Sequence, residues 1–175
     1  MKPRLLVHVC CGPCATHAVE ALGGEYDLTL FFSNSNIAPR EEYRRRRDAA
    51  RALAERCGVP LVEDEYDHAA WREAVRGREA EPEGGRRCEA CFAFNLGRAA
   101  GYARRHGFEL FTTTLTVSPH KSSAVVFHVG RTQGAFLEVD LKKKGGFQRS
   151  VELSKAYGLY RQHDCGCEFS RRSHA

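Results

Sequence analysis

Residues 4–14 read RLLVHVCCGPC, and the fold follows from this stretch. Its first six residues form a short apolar, partly β-branched run, which predicts a strand. Cys10, Cys11 and Cys14 follow around Gly12 and Pro13, and a helical pattern then runs through Leu22. A buried strand that turns directly into a helix is the first half of a βαβ unit. Working outward, residues 28–32 read as a second strand ending in the polar turn Ser33-Asn34-Ser35-Asn36. Residues 40–57 read as a helix with Tyr43, Ala50, Leu53, Ala54 and Cys57 on one face, stopped by Gly58.

The alternation continues to the end of the chain. A third strand is expected near Leu61 and Val62, then a short helix over 67–75 around Trp71. A charged, glycine-containing loop over 76–87 delivers Cys88, and helix resumes to about His106. Residues 109–116 read as a fourth strand. Ser118-Pro119 reads as a cap and first helical residue of a helix through about Arg131. Residues 135–139 read as a fifth strand, 150–159 as a last helix, and a polar tail carries Cys165 and Cys167. This pattern predicts an α/β fold, a parallel sheet with helices on both faces. The chain of 175 residues fits one domain, residues 1–175, without repeats or a low-complexity linker.

Composition narrows the class. Hydrophobic residues make up 42% and charged residues 28%, as in ordinary globular domains. No apolar run is long enough to cross a bilayer as a helix. Met1-Lys2-Pro3-Arg4 leads straight into a strand with no cleavable apolar segment, so a cytoplasmic location is expected. The net charge of +5 is compatible with a polyanion such as RNA without requiring one.

Eight cysteines in such a chain are unusual, and seven fall into three tight groups. In a reducing compartment that grouping points to metal or redox chemistry rather than structural disulfides. In an open parallel sheet, ligands bind outside the carboxyl ends of the strands. Cys10, Cys11 and Cys14 follow the first strand, Asn34 and Asn36 the second, and Ser118 to Lys121 the fourth. All should gather at one edge. Helix-start amides and the helix dipole favour thiolates there, and Gly12 would let the backbone bend closely around a bound group.

Cys88-x-x-Cys91 opens another helix and, with Cys11-x-x-Cys14, has the spacing of a four-sulfur zinc site. Cys10 is then a surplus thiol, and a complete core needs no structural zinc, so the spacing favours iron–sulfur and leaves both open. Cys165-Gly166-Cys167 fits a strained, easily reduced disulfide or further metal ligands. Cys57 reads as a small buried hydrophobe and His8 as a core histidine. Ser118 and Lys121 fit a helix-start phosphate site or a simple cap. Arg44 to Arg47 read as a solvated helix face, and Lys142, Lys143 and Lys144 as contacts to backbone phosphates. Tyr160 and Arg161 could stack on a base.

With these motifs assembled, the sequence resembles the QueH family of cobalamin-independent epoxyqueuosine reductases. The resemblance rests on His8-x-Cys10-Cys11-Gly12-Pro13-Cys14, Asn34-x-Asn36-Ile37 with Glu42-Tyr43, and Gly84-Gly85-x-Arg87-Cys88-x-x-Cys91-Phe92. It continues through Phe111-Thr112-Thr113-Thr114-Leu115, Ser118-Pro119-x-Lys121, Asp140-x-Lys142-Lys143, Arg149-Ser150 and Tyr160-Arg161-Gln162 with Cys165-Gly166-Cys167. Two departures stand out: Ser35 where proline is expected, and Asn95 where arginine is expected.

The resemblance implies a three-layer α/β/α fold with a mostly parallel Rossmann-like (nucleotide α-hydrolase-like) sheet. It implies a [4Fe–4S] cluster held mainly by Cys10, Cys11, Cys88 and Cys91, and an adjacent mononuclear iron or zinc on Cys14. Cys14, Cys165 and Cys167 become the catalytic thiols, the last two in a tail of about residues 160–175 folding over the site. Asn34, Asn36, Arg87, Ser118, Lys121, Lys142, Arg149, Tyr160 and Arg161 become substrate contacts. The implied substrate is a tRNA with a GUN anticodon carrying epoxyqueuosine, deoxygenated with two electrons from an external donor. A zinc-stabilised RNA-binding domain without catalysis is the alternative from the spacing. An ATP-using tRNA thiolase would need a glycine-rich pyrophosphate loop where this chain has cysteines.

Overall fold

The central strand β1 (Arg4–Val9) has every residue after Arg4 buried. A computed structural model describes residues 1–171; residues 172–175, the end of the expected tail, lie outside the described residues. β1 pairs in parallel with β2 (Asp27–Phe32) on one side and β4 (Leu110–Thr113) on the other. β2 in turn pairs in parallel with β3 (Leu61–Glu63), giving the order β3-β2-β1-β4.

Side-chain alternation sorts the strand residues onto two faces. Leu5, Val7, Val9, Leu28, Leu30 and Phe32 pack with α1 (Gly12–Leu22) and α2 (Arg40–Cys57), through Ala15, Ala18, Tyr43 and Leu53. Leu6, Phe31 and Phe111 pack on the other face with α4 (Arg86–Arg105) and α5 (Ser123–Gln133), through Phe92, Leu96, Ala99 and Val126. Each fully buried Leu, Val or Phe contributes about 1.5–3 kcal/mol. A sheet apolar on both faces requires helices on both, which is the expected three-layer α/β/α arrangement. The remaining helices are α3 (His68–Ala74), α6 (Gly146–Ala156) and the short α7 (Glu168–Arg171).

Gly12 serves packing rather than curvature around a ligand. A Cβ there would lie 2.9 Å from the backbone carbon of Ala49, so α1 passes α2 only because the side chain is missing. Cys57 packs half-buried against the same core, and His8 is fully buried, as expected.

Four sequence expectations change. Residues 135–139 do not form a fifth strand; they touch β4 through one parallel bridge, Phe111 to Phe136. The hydroxyls of Thr112 and Thr116 donate to the carbonyls of Leu137 and Val139 at 2.8 Å, so side chains occupy acceptors that a ladder would use. β4 ends at Thr113 and a 3-10 turn covers Thr114–Val117. Ser118 closes that turn instead of opening a helix, because the residue before proline is held extended. α5 begins later, capped by the Ser122 hydroxyl, which accepts from the Val125 N–H at 3.3 Å. The last long helix starts at Gly146 rather than near residue 150.

Asp64, just past β3, accepts from the Arg98 guanidinium of α4 (3.1 Å from Nη2) and from the Ser33 hydroxyl at 2.7 Å. Burial raises the Asp64 carboxyl, but Arg98 and Ser33 outweigh it and hold it below the usual range. A depressed carboxylate stabilises the fold above its unfolded pKa of about 3.9, and that contribution is lost as pH falls through the lower folded value. Asp64→Asn should therefore lower stability by about 1–3 kcal/mol at neutral pH. In chemical denaturation its gap from wild type should close below about pH 3.9; a gap independent of pH would contradict this.

Candidate metal centre

β1 delivers Cys10 and Cys11 at its carboxyl end, and α1 begins at once. Cys11 is the N-cap, its sulfur accepting from the Cys14 N–H at 3.4 Å. One turn of helix then brings Cys14 back, and the three sulfurs lie within 4.8 Å of one another. Thr114 fixes the third partner: its hydroxyl accepts from the Cys10 N–H at 3.1 Å and lies 3.3 Å from the Cys10 sulfur. Behind them, His8 Nε2 donates to the Ser33 carbonyl at 2.8 Å, so Nδ1 accepts from the Thr113 hydroxyl at 2.9 Å. Burial lowers the His8 pKa and keeps the ring neutral.

The three thiols do not ionise alike. Cys10 is held well below the ordinary thiol range, first by hydrogen bonding with Cys11 and then with Cys14. Their bonds to the Cys10 sulfur push Cys11 up to about 12 and raise Cys14 well above the ordinary value. One thiolate among two neutral thiols is an electron-rich donor set ready for a cation.

Opposite lies the first turn of α4. Cys88 accepts from the Gly84 N–H at 3.2 Å, and Cys91 is packed beneath Trp71. Burial raises both thiols, while the Trp71 ring N–H favours the Cys91 thiolate. A cavity of about 560 Å³ separates the groups, and Cys10, Cys14, Cys88, Cys91, Cys165 and Cys167 all line it. Cys11 lies directly behind that wall, fully buried.

The last two thiols arrive on a segment docked by polar contacts. Cys167 bridges Ile37 in antiparallel fashion, the Ala38 N–H donates to the Gly166 carbonyl at 3.0 Å, and Asn36 donates to the Cys165 carbonyl at 3.3 Å. Gly166 has φ 85, and a Cβ there would crowd Ile37 and Arg46. Arg46, only 2% exposed, donates to Glu42 at 2.8 Å and to Asp164 at 3.2 Å. Asp164 also accepts from the Gly166 N–H at 2.7 Å, and His68 pairs with Glu168 at 3.1 Å. All eight cysteines are free thiols, so the Cys165–Cys167 disulfide is not formed.

The expected substrate contacts divide. Asn36, Ser118, Lys121 and Arg161 line the cavity. Burial pulls the Lys121 pKa down, but the negative charge of the thiol cluster beside it, Cys10 first, outweighs it, and the ammonium is retained. Asn34 and Arg87 also reach the cavity wall, yet their polar atoms serve the frame. Asn34 donates to the Val9 carbonyl at 2.8 Å, and Arg87 donates to the Glu79 and Glu81 carbonyls and the Ser170 hydroxyl. Lys142, Arg149 and Tyr160 are not among the cavity-lining residues. Lys142 is tied to Ser123 and Asp140, Arg149 to Glu20 at 2.6 Å, and the Tyr160 hydroxyl donates to Glu42 at 2.8 Å.

Sequence reading missed Arg46, Trp71, Asn95, Phe147, Gln162 and His163, all on the cavity wall. Arg46 was readable: it sits three residues after Tyr43 and four before Ala50, on the apolar stripe rather than a solvated face. Asn95, standing where arginine was expected, donates to Asn36 at 2.9 Å and approaches the Cys91 sulfur at 3.8 Å.

The profile of the family described as Epoxyqueuosine reductase QueH matches residues 5–173. The chain belongs to the QueH family. It is similar to the Epoxyqueuosine reductase QueH of Streptococcus pyogenes serotype M1, 38% identical over 98% of this chain and 72% of that protein. The Thermotoga maritima QueH is 37% identical over 98% of this chain and 94% of its own length, and that of Haemophilus influenzae 36% over 97% and 72%. A thiolate-ligated QueH cofactor fits the donor set: several sulfurs face one cavity, and the buried Trp71 N–H has no hydrogen-bond partner among the described residues.

The tail segment offers a direct check. Asp164→Ala removes the acceptor for both Arg46 and the Gly166 N–H. Trypsin cleavage after Arg161, followed by mass spectrometry, should quicken roughly tenfold while global stability changes little; an unchanged rate would contradict the docking role.

Proposed function

We propose that the chain is a tRNA epoxyqueuosine reductase, converting epoxyqueuosine at the wobble position of a GUN-anticodon tRNA to queuosine. The observation that carries this reading is the six-cysteine cavity beyond the carboxyl ends of β1 and β2, in a chain of the QueH family. Its volume of about 560 Å³ suits one small cyclic group extruded from a single-stranded anticodon loop. The net charge of +5 favours a polyanionic partner, and a cytoplasmic location follows from that substrate. Among the described residues, no helix is long and apolar enough to cross a membrane.

The reaction breaks both C–O bonds of the epoxide, forms a C=C bond, and takes up two electrons and two protons to release water. Cys10, Cys11, Cys88 and Cys91 would hold a [4Fe–4S] cluster, with Cys14 toward an adjacent iron or zinc ion. Those metals supply single electrons and Lewis acidity at the oxygen, replenished by an external electron donor. The chain's own groups do the rest. Lys121 Nζ keeps a proton at the cavity wall, beside the thiols, and meets the departing oxygen. Asn36 and Asn95 hold each other across the wall and keep the Cys165 carbonyl fixed. Cys165 and Cys167, on a tail closing over residues 1–160 of the same domain, stand where a dithiol could pass electrons to the centre. The buried Cys11 and the aromatic packing of Trp71 with Phe169 exclude water from behind.

On tRNA bearing epoxyqueuosine, with a chemical reductant and nucleoside mass spectrometry, wild type should yield the product lighter by one oxygen. Cys88→Ser and Cys91→Ser should abolish both cluster absorbance and turnover; full activity in either would sink the assignment. Lys121→Met should keep its metal content yet lose about 10²–10⁴-fold in kcat. Undiminished kcat would remove Lys121 from the chemistry.

A further inference from the structure

Trp71 is the single tryptophan of the chain and is fully buried. Its ring is sandwiched between His68 (centroids 5.3 Å apart, planes at 18°) and Phe169 (6.0 Å, 20°), which fixes its orientation. Cys91, Cys165 and Cys167 pack around it. The indole Nε1–H has no hydrogen-bond partner among the described residues, although leaving a buried N–H unpaired is costly. Cys91 packs against the same ring, and the indole N–H favours its thiolate over its thiol. The Asn95 amide reaches the Cys91 sulfur at 3.8 Å, while its firmer bond goes to Asn36. A neutral thiol is a weak acceptor, whereas a metal-bound thiolate is a strong one. The orphaned N–H is thus satisfied once Cys91 carries charge.

We infer that Trp71, assisted by Asn95, sets the reduction potential of the metal centre through N–H···S contacts to Cys91. Trp71 is then a positioning residue, acting through the ligand and touching no reacting atom. The inference rests on the proposed reading of Cys91 as a metal ligand. An electron passed from a reductant such as dithionite adds negative charge to the ligand sulfurs. N–H donors aimed at one of them stabilise the reduced form and raise the potential. Removing the donor lowers it.

Because Trp71 is the sole tryptophan, growth on β-(benzothienyl)alanine replaces its N–H by sulfur at this position alone while keeping the ring shape. Trp71→Phe is the second variant, and Asn95→Ala the third. Each is purified anaerobically with its metals and titrated with dithionite against redox dyes, followed by visible absorbance. The analogue protein should carry full iron and sulfide, with the reduction equilibrium weakened about tenfold, or roughly 59 mV for one electron. Asn95→Ala should shift the same way by less. An unchanged midpoint at full metal content in the analogue protein overturns the inference, even where Trp71→Phe fails to load. A Cys91→Ser protein that keeps its cluster would instead overturn the ligand assignment, and the inference with it.

Discussion

A strand buried on both faces must leave its sheet without exposing unpaired backbone, and β1 does so within two residues. Everything else at the site depends on that exit. The Cys11 sulfur caps α1, Gly12 lets the helix pass the α2 backbone at Ala49, and Thr114 from the end of β4 takes the Cys10 N–H. Each contact satisfies a polar group or relieves a clash that the geometry creates. The chemistry is placed by the same constraint: three sulfurs converge because a capping residue and one helical turn cannot avoid bringing them together.

Buried charge secures the other walls. Arg46 and Arg87 are both nearly inaccessible, a costly arrangement unless every donor finds an oxygen. Arg46 finds Glu42 and Asp164, and Arg87 finds two carbonyls and Ser170, with only its Nε–H left unpaired among the described residues. Both partner sets include the C-terminal segment, so each arginine loses an acceptor unless residues 164–170 are in place. The cysteines of that segment are consequently held against Cys91 and Trp71 by the energetics of the frame, not by bonds between sulfurs.

Much of this was legible in the sequence where local rules dominate. The apolar run of β1, the stripe of α2 and the position of Cys10, Cys11 and Cys14 followed from periodicity and topology alone. The fifth strand failed because Thr112 and Thr116 hydroxyls take the carbonyls that pairing would need, a tertiary choice invisible to propensity. Ser118 was misread as a helix cap because its role is set by the 3-10 turn before it. Lys142, Arg149 and Tyr160 lie outside the cavity wall, tied to partners far along the chain, at Ser123, Glu20 and Glu42. Such long-range pairings leave no local signature. Arg46 did leave one, in its helical phase, and the charge run around it hid the signal.

The central claim is that the strand-edge thiols and the α4 thiols form one metal centre. Anaerobic purification followed by absorbance, iron and acid-labile sulfide analysis tests it most directly. The account predicts a brown protein with the iron and sulfide of a [4Fe–4S] cluster plus one further metal ion, and loss of the colour in air. A colourless, air-stable protein holding zinc alone would contradict it.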